Sequence, residues 1–167
     1  MKKYLAGAAL ALALTTLAGQ AQAQSATIGA RASVQQALTV SAVDSLIFGA
    51  VFPSTTRTIL PADATSGSFT LAGAANAEVN VNFTLPANLA FGANNLAIAF
   101  SSTSAARNTA NSRAGSTAFD PAATMTTRLD IATGNLYVFV GGAVSPTVQP
   151  AGSYTAAITL TAAYTGN

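Results

Sequence analysis

The chain of 167 residues carries seven Lys and Arg against five Asp and Glu, has no cysteine and no histidine, and is half hydrophobic. That composition excludes disulfides, thiol nucleophiles, a Ser-His-Asp triad and metal sites built from His or Cys. Both lysines, Lys2 and Lys3, stand at the very start; from Gln24 onward Arg31, Arg57, Arg107, Arg113 and Arg128 face Asp44, Asp63, Glu78, Asp120 and Asp130, a formally neutral balance. Nucleic acid is therefore not an expected partner, and a charge-poor surface favours association between copies.

Met1-Lys-Lys precedes an Ala- and Leu-rich run from Tyr4 to Gly19, and Gln20-Ala21-Gln22-Ala23 offers a small-x-small cleavage site. A charged start, a short apolar run and an A-x-A end predict a secretory signal peptide over residues 1–23. A spanning helix wants about 20 apolar residues, so no integral membrane protein is expected. Residues 24–167 are expected to form a single domain, exported through the inner membrane to the periplasm, cell surface or medium.

The first strand signal is Ile28, Ala30, Ala32, Val34, Leu38, Val40 and Ala42 on one parity, broken at Gln36. Leu46 to Phe52 follows, ended by Pro53. Ser68 to Leu71 is short, with Gly73 at its exit. Val79, Val81, Phe83 and Leu85 alternate with Asn80, Asn82 and Thr84 until Pro86. Leu96, Ile98 and Phe100 make another strand, Arg128 to Ile131 a weak one, and Leu136 to Val140 a strong one. The longest run is the last, 152–164, with Tyr154, Ala156, Ile158, Leu160, Ala162 and Tyr164 on even positions and small or hydroxylated residues between them. A period of two marks strands with one buried face. Short alternating strands punctuated by Gly, Pro and Asn predict an all-β fold, an antiparallel Ig-like β-sandwich.

Two stretches depart from this pattern. Leu136-Tyr-Val-Phe-Val140 is apolar on both parities, either because another part of the chain covers it or because Tyr137 and Phe139 form a contact surface for another subunit. Residues 101–127, rich in Ser, Thr, Ala and Asn, predict a long solvated loop, with room for a short edge strand and for recognition. Gly141-Gly142 reads as a bend or bulge rather than a phosphate cradle, because no helix pattern follows. The five acids are scattered among predicted loops and strand ends, so no catalytic residue, cofactor or metal site is expected.

Three stretches carry a family resemblance: Ser45-Leu-Ile-Phe48-Gly49-Ala-Val-Phe-Pro53, the pair Phe69 to Gly73 and Leu85-Pro86, and Leu136 to Val140 with Gly141-Gly142 followed by Gly152, Tyr154 and Tyr164. They resemble exported bacterial proteins classed as domain of unknown function 4402. The closing strand is also similar to that of chaperone–usher fimbrial subunits, from which this chain departs in having no disulfide and three residues after Tyr164. The resemblance implies an Ig-like sandwich that polymerises by strand exchange. Its partners would be other copies or related subunits, with a periplasmic chaperone and an outer-membrane usher. Ile28, Ala30, Ala32 and Val34 have the alternation of a donor strand, and equally that of the first strand of their own sheet. A structural or adhesive surface subunit is thus one expectation, and a monomeric secreted binding module using the 101–127 loop is the other.

Overall fold

A computed structural model describes residues 24–32 and 34–166; the expected signal peptide, residues 1–23, lies outside the described residues. The chain divides into two units, Met1–Val34 and Gln35–Asn167. In the first, the described residues form no strand, and Ile28 and Val34 are 96% and 98% exposed. The reading of Ile28 to Val34 as the first strand of its own sheet is thereby corrected. Apart from Ile28 and Val34, that parity is built from alanines, which have little apolar surface to bury.

The second unit is all-β, with no helix among the described residues: β1 (Thr39–Asp44), β2 (Arg57–Ile59), β3 (Gly67–Ala72), β4 (Glu78–Thr84), β5 (Asn88–Phe91), β6 (Asn94–Ala99), β7 (Ala105–Asn108), β8 (Thr117–Phe119), β9 (Met125–Arg128), β10 (Asn135–Val140), β11 (Gly142–Val144) and β12 (Thr159–Tyr164). Three antiparallel sheets result, in the orders β1-β3-β10-β7-β8, β12-β4-β9 and β2-β11-β6-β5. No helix of the described residues is long and apolar enough to cross a membrane.

The first two sheets pack face to face. Leu71 on β3 and Leu136 and Val138 on β10 meet Val79 and Val81 on β4 and Leu160 on β12, all buried. Phe69 and Phe83 pack edge to face against this core, with centroids 5.9 Å apart, an arrangement that aromatic quadrupoles favour. The expected parities of β4 and β12 hold. Val79 and Val81 are buried while Asn82 and Thr84 face out, and Leu160 is buried while Thr159 and Thr161 face out.

The third sheet has a core of its own around Leu96, Ile98 and Val144. Gly141 makes the passage between sheets. It follows β10 directly and precedes β11, and a Cβ there would run into the Ile59 carbonyl. The glycine pair is therefore a bend, placed where two backbones approach too closely for a side chain. β5, which the strand signals do not include, is joined to β6 by a two-residue turn in which Gly92 has φ 58°, the left-handed conformation that hairpin turns require.

Three further expectations change. The strand predicted over Arg128 to Ile131 lies earlier, as β9, because Asp130 opens a turn by accepting from Ala132 N, Thr133 N and Thr133 Oγ1. The 101–127 stretch is not a long loop: it contains β7 and β8, paired as a hairpin at the edge of the first sheet, and the start of β9. In β7 the buried residues are Ala105 and Ala106, too small to give a hydrophobic signal, while Phe119 on β8 packs against the sandwich core. The closing strand covers 159–164 rather than 152–164. Thr159 faces Thr84, the last residue of β4. Ala157 would therefore face Pro86, which has no N–H to give to a ladder.

Candidate functional site: an apolar groove with unpaired walls

Two stretches that were expected to be strands and are not, 46–52 and 152–158, both line one groove. It has a volume of about 840 Å³. One wall runs from Ala42 to Val51 and the other from Gly152 to Ile158; Phe69, Leu89, Leu96, Ile98, Val140 and Val144 complete the lining. Leu46, Phe48, Val51 and Tyr154 pack against the third-sheet core, so each wall is anchored by its own apolar side chains.

The backbone along both walls is largely unpaired. β1 is an edge strand, bonded to β3 on one side only, and every residue in it is exposed. Beyond it, Ile47 N donates to Thr65 O at 2.9 Å. On the other wall Thr155 exchanges both backbone bonds with Ala90 on β5, at 2.9 and 3.0 Å, while Ala156, Ala157 and Ile158 belong to no strand. Unpaired strand edges beside an apolar trough can template pairing with an added strand.

The residues that carry the resemblance fall in different parts of the fold. Phe48, Gly49, Gly152 and Tyr154 all line the groove. Gly152 sits against the Phe91 ring with no room for a Cβ, and Tyr154 lies 5.7 Å from the same ring, donating its hydroxyl to Pro150 O at 2.9 Å. Gly141 and Gly142 make the sheet crossing already described. Tyr164 is at the far end of β12, where its hydroxyl donates to Gln36 O at 2.8 Å and accepts from Ala74 N at 2.7 Å. Gly73 leaves space for that hydroxyl. Tyr164→Phe keeps the ring and strips both bonds. It should lower stability to urea by about 1–3 kcal/mol, the cost of an unsatisfied, half-buried amide, while leaving the circular dichroism spectrum unchanged.

Of the two residues expected to offer a subunit contact, Tyr137 is half-buried, whereas Phe139 is 2% exposed, and that expectation is corrected for Phe139. β10 is central, between β3 and β7, and the β7–β8 hairpin places the Arg113 guanidinium 5.1 Å from the Phe139 ring centroid. The apolar run on both parities thus reflects cover from within the chain. Near the groove mouth the Ser68 hydroxyl, and after it Arg113, hold the Asp44 carboxyl below the ordinary carboxylate value. A depressed value contributes stability above the ordinary pKa, lost as the pH falls through the folded one.

No family model and no curated protein matches this chain.

Proposed function

We propose that this protein is an exported, non-enzymatic structural or adhesive surface subunit that assembles by β-strand pairing between copies. The observation that carries this reading is the groove with two unpaired walls. Its occupant is the segment Ile28 to Val34 of a second copy. That segment alternates, its described residues lie outside every sheet, and Ile28 and Val34 are almost fully in water. An inserted strand would gain ladder hydrogen bonds on both sides. Burying each of its two large side chains would give roughly 1.5–3 kcal/mol, and the alanines less. Residues 24–167, formally neutral, oppose such contacts with little repulsion.

The resemblance to domain of unknown function 4402 and to chaperone–usher subunits supports the same reading. On it, the partners are other copies or related subunits, guided by a periplasmic chaperone and an outer-membrane usher. The destination is the periplasm, cell surface or medium.

The test is the size of the 24–167 chain by light scattering, with and without residues 24–35. The full chain should form oligomers that resist dilution and separate only on unfolding. The shortened chain should form none, and should bind a peptide spanning Ala26 to Gln35. A 24–167 chain that stays monomeric at high concentration overturns the proposal and leaves a monomeric binding module in its place.

A further inference from the structure

The groove mouth is held by a residue from a distant part of the chain. Arg113, in the connection between β7 and β8, reaches back to where β1 leaves the first sheet. Its Nε donates to Ser66 Oγ at 3.0 Å, and its Nη2 to Asp44 Oδ2 at 3.0 Å and Ser66 O at 3.3 Å. The same Asp44 oxygen accepts from Ser68 Oγ at 2.6 Å. Ser66 is fully buried and donates its own hydroxyl to Pro61 O at 3.0 Å, so it is a fixed anchor.

Asp44 marks a change of direction. The β1–β3 ladder passes from Ala42↔Phe69 to Asp44↔Ser68, leaving Val43 as the extra residue of a bulge. Bulges re-aim the chain that follows them, and here that chain is the groove wall. Gly67 lets the wall approach closely, for a Cβ there would meet Val140, Leu46 N and Asp44 O. The wall carries Leu46, Ile47, Phe48 and Val51, with Ile47 still more than half exposed. Released at its root, such a segment would bury its own side chains by folding over the trough.

We infer that Arg113 is a positioning residue that latches Asp44 to Ser66 and thereby keeps the groove open to an incoming strand. The inference rests on the strand-acceptor reading and adds its control element. The β7–β8 hairpin, rather than either wall, sets how readily the groove is filled.

The 24–167 chain, freshly refolded and dilute, is compared with Arg113→Gln, Asp44→Asn and the double variant. Two quantities are read: amide hydrogen exchange across 45–51, where the protection is that of the Ile47 amide bonded to Thr65 O, and the association rate of a labelled Ala26–Gln35 peptide. Each single variant should speed exchange across 45–51 and slow peptide association by about two- to fivefold, the range of an exposed ion pair. The double variant should be no worse than either single one, as for two residues acting through one contact. Exchange in β4 and β10 should not change. Wild-type exchange across 45–51 in the variants, or faster exchange with undiminished peptide association, overturns the latch. If the wild-type chain takes up no peptide, the strand-acceptor reading fails, and exchange across 45–51 alone then decides whether Arg113 holds the wall.

Discussion

Leu160→Asp is expected to leave the chain unfolded, whereas Thr161→Asp should retain a cooperative unfolding transition. Leu160 is 6% exposed and lies between the two facing sheets with Leu71, Val79, Val81 and Val138. No cationic side chain belongs to that cluster, so a carboxylate there stays unpaired at an effective cost of several kcal/mol. A domain of this size has only about 5–15 kcal/mol to lose. Thr161 points outward from the same strand, and a surface change of that kind typically stays within about 0.5 kcal/mol. Far-UV circular dichroism with urea titration separates the two cases. Equal damage from both would mean that β12 is covered on both faces.

The second large effect concerns assembly. Ile158→Asp places a charge in the groove wall, and Val34→Asp places one in the proposed donor; neither touches the main core. Each should abolish oligomers in light scattering while moving the urea midpoint little. Loss of a buried aliphatic side chain removes roughly 1.5–3 kcal/mol, about ten- to a hundredfold in affinity, before the charge is counted. Mixed together, the variants should behave differently. The Ile158→Asp chain keeps an intact donor and the Val34→Asp chain keeps an intact groove, so one-to-one complexes should form and growth should stop there. Oligomers of wild-type size in either variant alone would remove the groove from the assembly mechanism.

Strict alternation was legible wherever a strand had a ladder to a neighbour and one face on the core. Val79 and Val81 against Asn80 and Asn82, and Leu160 against Thr159 and Thr161, took the faces that their parity required. The two-sided run at Leu136 to Val140 was also readable as a covered strand, though nothing local could show that an arginine from 113 was part of the cover. Alternation failed where the partner was missing. Ile28 to Val34, Leu46 to Phe52 and Gly152 to Ile158 all have strand-like composition and none has a complete ladder, because pairing depends on what lies alongside. For 152–158 the deciding residue is Pro86, far away in sequence. For 46–52 it is the bulge at Val43 that turns the chain out of the sheet. The groove was hidden for this reason, since its walls are the segments that the sequence most readily assigns to strands. Within 101–127 a short edge strand was allowed for, but not the full β7–β8 hairpin, since the buried alanines of β7 look like the polar, small-residue stretches around them.

Tyr164 has a mechanical consequence. A tug on residues 24–34 is delivered to the sandwich at Gln36, just before β1, and the Tyr164 hydroxyl holds Gln36 to Ala74 on the neighbouring loop. Force entering there divides between the β1–β3 ladder, drawn along its length, and the β12–β4 ladder, whose last pair is Tyr164↔Val79. Bonds drawn along their strands must break together rather than one after another. A thread of such subunits would therefore stretch at the segments between sandwiches before any sandwich opened.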